Sequence, residues 1–482
     1  MKNLTLAHML LAAIGFDTAR AADSDRLKAG TAKVDITPPV GQPMGGFLSR
    51  LKKNNGACEG IHDRLFARVV VLDDGDTSVA IVAVDLLFFS SQRVVNQAKD
   101  KWNVDHVILS STHTHAGPIP KTGGMVQWSN LDVNPAEVLD FEAFAEDPWY
   151  AATEDKIIAA IGQAMKNPFP ARIGASKGTL ESTYLAHNRR LVGPDGKVTM
   201  RWANPKRLPT EPVDHTVRVL RIDDDSGRPR VVLVHFACHP VTLGSRNLLI
   251  SADFPGATVT HVESQLGDGC MAMFLQGAAG DIDPYDMGLD GEYGHQIVRN
   301  TGVSLATKAL KIAEGIKTRQ AYRGDLRVKE NLLSMGHRVG RVSRPVARTN
   351  GSEDPTYNVG ITTVVIAPDT ALASIPGEPF VQHQLDLAER SPVEHTFLLG
   401  LAYNGTGIPF TIYLPTIQAA KEGGYGAASG TFLEVGAGER LVNEAITSMQ
   451  ELAGAFSKNP KDVHRRMELE ERRVRESNPA NQ

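Results

Sequence analysis

The chain has 482 residues, 42% of them hydrophobic and 22% charged, with 51 Lys and Arg against 55 Asp and Glu. This profile excludes a disordered or fibrous protein. A formal charge of −4 also argues against nucleic acid as a partner, because such proteins usually carry a strongly basic domain.

Taken in chain order, the first 21 residues read as a secretory signal. Lys2 is a positive start, Leu4 to Phe16 is a short apolar stretch, and Ala19-Arg20-Ala21 has the form of a cleavage site. An apolar stretch of about 13 residues is too short for a bilayer that needs about 20. The expectation is cleavage after Ala21, a periplasmic or secreted protein, and no transmembrane segment in the mature chain. From Gly30 to about Phe456, β-branched runs alternate with helical segments and Gly/Pro turns, which predicts an α/β (mixed α+β) fold in a single large domain over 22–456. Strands are expected at Ala67–Leu72, Val79–Asp85, His106–Ser110, Thr216–Ile222, Val231–Ala237 and Thr362–Ile366. Helices are expected at Tyr150–Lys166, Ala257–Leu266, Tyr293–Ile316 and Pro379–Arg390, the second with Asp253 and Pro255 as cap and first turn. The long segment from Ile119 to Trp149 reads either as a lid or binding loop or as a surface excursion with its own small cluster. Residues 457–482 form a charged, solvated tail. Cys58, Cys238 and Cys270 allow at most one disulfide, and Cys238 reads as a small buried hydrophobe.

The densest chemistry follows the strand at His106. In Ser111-Thr-His113-Thr-His115-Ala-Gly-Pro118, strand geometry puts residues two apart on one face, so both imidazoles can enter one site. Such a pair can ligate a metal or hold a water, or can be ordinary surface or core histidines. A second apolar strand carries His235 and ends at His239-Pro240. Four residues of extended chain separate the two by about 13 Å, so one site can use only one of them. His239, at the strand end, is the candidate, and His235 reads as structural. Ile375-Pro-Gly-Glu378 presents a carboxylate after an apolar run, either as a ligand or as a solvated turn. Two histidines and a carboxylate with one open position form the set a catalytic zinc needs. In Gly277-Ala-Ala-Gly-Asp281-Ile-Asp283-Pro, the two acids can bind a cation or a substrate hydroxyl, or simply cap a turn. No G-x-S-x-G elbow or P-loop occurs.

Together these stretches resemble the neutral/alkaline non-lysosomal ceramidase family in its zinc-dependent catalytic domain. The likeness runs in order through Gly30-Thr-Ala-Lys-Val-Asp-Ile-Thr-Pro-Pro39, Met44-Gly-Gly-Phe47, Gly60-Ile-His-Asp-Arg-Leu-Phe-Ala-Arg68 and Ser111 to Pro118. It continues at Asn188-Arg189, Ala237-Cys-His-Pro240, Leu249-Ile-Ser-Ala-Asp253, Gly280-Asp-Ile-Asp-Pro284 and Pro376-Gly-Glu378, and covers about residues 30 to 435. The resemblance implies that His113, His239 and Glu378 bind Zn2+. It implies a fourth ligand at Tyr413, counted back from Tyr425-Gly-Ala-Ala-Ser. His115, Arg189 and Tyr425 would then polarise the reacting carbonyl or move protons.

Two departures bear on the reaction. Asp283 stands where the family carries a serine, which disfavours an acyl-serine mechanism. No counterpart of the C-terminal β-sandwich carried by the family's long enzymes is expected after Phe456, and lipid presentation is expected to differ. The expected function is hydrolysis of an amide bond in ceramide or a related N-acyl compound by zinc-hydroxide attack, with Asp283 orienting a substrate hydroxyl or amine. The alternatives are an esterase or lactonase acting on a sugar-like or other polar substrate, and an exported binding protein without turnover.

Overall fold

Among the described residues, the three largest sheets carry most of the strands, and each contains one parallel strand pair joined across a helix. The computed structural model describes residues 25–51, 56–118, 148–181, 185–267, 269–338, 356–366 and 368–454. The expected signal segment, the tail and all but the last two residues of the 119–149 segment lie outside the described residues. In sheet one, β1 (Lys28–Asp35), β2 (Phe66–Asp73), β3 (Ser78–Val84) and β4 (His106–Ser111) lie in the order β4-β3-β2-β1. Helix α1 (Gln92–Trp102) crosses between the parallel strands β3 and β4, and α2 (Pro148–Lys166) packs beside it.

Sheet two contains β5 (Arg172–Thr179), β6 (Thr216–Asp223), β7 (Pro229–Phe236) and β8 (Met271–Gln276), in the order β8-β7-β6-β5. Its parallel pair, β7 and β8, is joined through α3 (Asp253–Leu266), which packs on α4 (Gly291–Glu314). Sheet three runs β9 (Leu326–Gly336), β10 (Thr356–Ile366), β11 (Thr370–Ser374) and β12 (His395–Leu399). Here β11 and β12 are the parallel pair, with α5 (Val381–Arg390) between them and α6 (Ala437–Leu452) alongside. A parallel connection needs such a crossover because a tight hairpin can join only antiparallel strands.

The alternation along each strand explains how the layers stick together. On β2, Val69 and Val71 pack under α1 and α2, while Val70 and Leu72 point to the opposite face. That opposite face meets Leu220, Leu233 and Met273 of sheet two and Val364 and Phe397 of sheet three in a shared central core. Strands buried on both faces read as unbroken apolar runs, which is why the expected strands lie where they do. All three cysteines are free and buried. None of the described helices is long and apolar enough to cross a membrane.

The structure extends or shifts several expected elements. Helix α3 begins at Asp253, four residues earlier than expected, and Asp253 sits in its first turn while Ala252 precedes it without a side-chain cap. The Asp253 carboxylate accepts instead from the Leu243 and Phe254 backbone N–H groups.

Candidate metal centre and active site

The carboxyl ends of the parallel strands from all three units meet at one place, the position where open α/β sheets generally bind ligands. His113 and His115 follow β4, His239 follows β7, Gln276 ends β8, and Glu378 follows β11. The Gln276 amide ties two of these ends together, donating to the Thr112 carbonyl (3.3 Å) and the Cys238 carbonyl (2.9 Å). The His115 N–H donates to the Pro240 carbonyl (3.2 Å), and the His239 N–H to that of Ile282 (2.9 Å). The third unit closes through the Gly280 N–H on the Pro379 carbonyl (2.9 Å). A Cβ at Gly280 would stand 2.4 Å from the Glu378 carbonyl oxygen, so this approach requires glycine.

His113 and His115 do converge, but a turn brings them together, not strand alternation. Strand β4 stops at Ser111, and His113 has φ +70°, a left-handed conformation that breaks the extended chain. Each of the three imidazoles spends its Nδ1–H on a backbone carbonyl. His113 donates to Leu87 (2.6 Å), His239 to Ala279 (2.6 Å) and His115 to Gly46 (3.1 Å). A carbonyl only accepts, so Nδ1 must carry the proton and Nε2 is left as a lone pair. Those lone pairs face one another and a carboxylate. His115 Nε2 lies 3.3 Å from His113 Nε2, and Glu378 Oε2 lies 3.1 Å from His239 Nε2 and 3.4 Å from His113 Nε2.

Four acceptor atoms within this space repel unless protons or a cation lie between them. A divalent ion of the zinc class fits the donor set of imidazole nitrogens and one carboxylate, and carbonyl-anchored Nδ1 groups are the usual outer support of zinc-bound histidines. His113, His239 and Glu378 are buried, at 3%, 1% and 6% exposure, and His115 is the most open of the four. Burial first, and then the neighbouring His113 and His239, push the His115 pKa well below the usual histidine value. Burial works to raise the Glu378 carboxyl, but His113 and His239 outweigh it and hold it well below the usual range.

Tyr413 pairs in parallel register with Glu378, which seats its ring 6.3 Å from that of His239. Burial and then Glu378 push its phenol well above the usual value, with Arg189 opposing. Arg189 is itself buried, and its guanidinium lies over the rings of Trp202, Tyr413 and Tyr425 at 5.2, 5.5 and 5.4 Å. It donates to Asp283 (3.0 Å) and to the Gly280 carbonyl (2.6 Å). Tyr425 is 38% exposed and Trp202 41%, so these two rings form the rim of the site.

Asp281 and Asp283 do not combine as a cation site. Asp281 accepts from the Val381 N–H (2.8 Å) and the Asn188 amide (2.9 Å), while Asp283 faces Arg189. Asp283 is fully buried, and its contact with Arg189 places it to orient that guanidinium. His235 faces away, donating through Nε2 to the Leu398 carbonyl (2.7 Å), and burial pushes its pKa down to about 3.

Two residues near the centre went unnoticed in the sequence. Gln276 is the end of an apolar strand, and its polar character there was the available signal. Arg50 is 1% exposed and donates to the carbonyls of Gly45 (2.5 Å), His115 (2.8 Å) and Gly244 (2.9 Å), bracing the turn of His115. With no carboxylate partner among the described residues, it loses solvation on burial, and its pKa falls to about 10. Nothing in its spacing distinguishes it from a surface arginine.

Against known proteins, the family model for neutral/alkaline non-lysosomal ceramidase, N-terminal, matches residues 27–311. Neutral ceramidase A of Dictyostelium discoideum is 27% identical over 320 residues, 58% of this chain and 40% of that protein. Neutral ceramidase of Pseudomonas aeruginosa is 26% identical over 299 residues, 59% of this chain and 41% of that protein. The matched region thus spans about 40% of the length of these relatives. The crystal structure of neutral ceramidase from Pseudomonas aeruginosa superposes with a TM-score of 0.67 at 20% identity, covering 89% of this chain and 75% of that one. The mixed α/β architecture is therefore that of the neutral ceramidase fold. His113, His115, Arg189, His239 and Asp283 fall inside the matched residues, and Glu378, Tyr413 and Tyr425 beyond them. With a match over more than half its length, the chain belongs to the neutral/alkaline non-lysosomal ceramidase family.

Proposed function

We propose that this protein is a zinc-dependent hydrolase that cleaves the amide bond of ceramide or a related N-acyl substrate. The observation that carries this reading is the convergence of carbonyl-anchored imidazoles on Glu378, at 3.1 Å from His239 and 3.4 Å from His113. His113, His239 and Glu378 would hold the ion, with Tyr413 as the fourth ligand. When bound there, zinc supplies an acidified water and a Lewis acid for the carbonyl oxygen.

The chain's own groups do the remaining work. His115 has a free Nε2 lone pair at the open side of the cluster, so it accepts a proton from the attacking water and returns it to the leaving amine. Tyr425 at the rim donates a hydrogen bond to the oxygen on which negative charge develops. Asp283 fixes Arg189, and Arg189 fixes the two tyrosines from beneath. An amphiphilic substrate suits this rim, where exposed Trp202 and Tyr425 offer apolar area beside a polar centre.

Zinc-loaded protein should release fatty acid from a short-chain fluorescent ceramide. His115→Ala should lower kcat by about 10²- to 10⁴-fold while the zinc stays bound. Faster cleavage of a polyol ester, with no release from ceramide, would replace the amide reading by the esterase or lactonase one. The same proposal takes residues 1–21 as a cleaved export signal and 22–456 as the catalytic domain. Mass spectrometry of exported protein should find Ala22 at the amino terminus, and an intact Met1 would sink that part.

A further inference from the structure

Away from the active centre, His62, Asp63 and His295 bring one ligand atom each within 4.8 Å of the others. We propose that they form a second metal site, for a divalent ion of the zinc class, distinct from the one at His113, His239 and Glu378.

His295, on α4, is 2% exposed, and both of its ring nitrogens are buried without a hydrogen-bond partner. A buried polar atom left so is unfavourable, a cost that metal ligation by one nitrogen would offset in part. The ring lies against that of His62, with centroids 3.6 Å apart and planes 8° from parallel. Asp63 reaches the His62 Nδ1 at 2.9 Å through one oxygen and accepts the Ser251 hydroxyl through the other. Among the described residues no Lys or Arg pairs with Asp63, and its ion-pair partner is His62, a cation only when protonated.

The backbone beneath is fixed. The N–H groups of His62 and Asp63 both donate to the Ile250 carbonyl, at 2.9 and 3.1 Å, and Gly60–Ile61 pairs in parallel with Leu249–Ile250. His62 is exposed, so its side chain can turn to bring a lone pair toward His295, and solvent completes the shell. Two imidazoles and a carboxylate select zinc-class ions, since calcium and magnesium take oxygen ligands. The site is also joined to the catalytic turn. Ser251 donates its N–H to the Ala116 carbonyl (2.9 Å), and the Thr114 hydroxyl donates to the Ser251 carbonyl (2.8 Å). An ion there would brace the segment that carries His113 and His115.

The test is a zinc count on untagged full-length protein, stripped by chelator and equilibrated at micromolar free zinc. Wild type should hold two ions per chain, His295→Ala one, His113→Ala one, and the double variant none. Because His295 is buried, His62→Ala and Asp63→Asn are measured as well, and each should also hold one. Zinc should raise the Tm of His113→Ala and leave that of His113→Ala/His62→Ala unchanged. A wild-type count of none, or an unchanged count in all three variants of this cluster, overturns the proposal. Loss of an ion in those variants but not in His113→Ala would uphold this site and reject the catalytic one.

Discussion

Replacing His239 with alanine should remove the active-centre zinc and lower turnover at least about 10³-fold, the scale expected when a catalytic metal loses its acidified water. The lost atom is one of the converging acceptors, 3.1 Å from Glu378 Oε2. Glu378→Gln should act in the same direction, since the amide keeps the shape but not the charge. His235 is the informative control. It lies four residues earlier, is equally buried, and spends its Nε2 on the Leu398 carbonyl. His235→Ala should therefore destabilise the fold by a few kcal/mol, of the order found for core truncations, yet retain the metal and most of its kcat. Metal analysis and kinetics on refolded, monodisperse protein separate the two. Full activity in His239→Ala, or metal loss in His235→Ala, would mean that the active centre has been misplaced.

How far this site could be read in the sequence depends on how each part is held. Strands β2, β3, β4, β6 and β7 were legible because apolar cores on both faces leave nearly unbroken Val, Ile and Leu runs. Strand β5, Arg172-Ile-Gly-Ala-Ser-Lys-Gly-Thr179, was not, because only Ile173 on it is buried and its place comes from pairing with β6 and with Arg319–Gln320. Helix α1 went unremarked although it bears readable signals. Ser91 caps it by accepting from the Val94 N–H, and Asn103 ends it in a left-handed conformation. The candidate ligands were visible because strand ends carry them. Their convergence was anticipated for a partly wrong reason, since the positive φ of His113 lies in a turn that strand periodicity cannot foresee.

Asp283 marks the limit of that reading. As a lone acid after Asp281 it invites a role toward substrate or cation, whereas its partner Arg189 stands 94 positions away in the chain. Only the antiparallel pairing of Ala186–Asn188 with Ile282–Pro284 brings them together. No local spacing encodes that contact.

This buried pair yields the second large effect. Arg189→Met should destabilise the protein by about 3–5 kcal/mol, because it leaves a wholly buried carboxylate without a counter-charge. Burial works against the Arg189 charge, yet Asp283 and the flanking tyrosines more than offset it, holding the pKa above the usual arginine range. Asp283→Asn should cost less, since the guanidinium keeps the Gly280 carbonyl and the three aromatic faces. The double variant Arg189→Met/Asp283→Asn should then be more stable than the sum of the single changes predicts, by about 1–3 kcal/mol in denaturant unfolding. Activity should not recover with stability. With Arg189 gone, Tyr413 and Tyr425 lose the cation that seats them, so kcat should stay depressed in the double variant even when the protein is fully folded. Additive stabilities would show that the two side chains do not depend on each other, and recovered kcat would show that the tyrosines are held by packing alone. Arg189→Lys sharpens the distinction, because an ammonium supplies the charge but cannot bridge Asp283 and the Gly280 carbonyl with a planar fork. It should keep more of the stability than Arg189→Met while leaving kcat nearly as low.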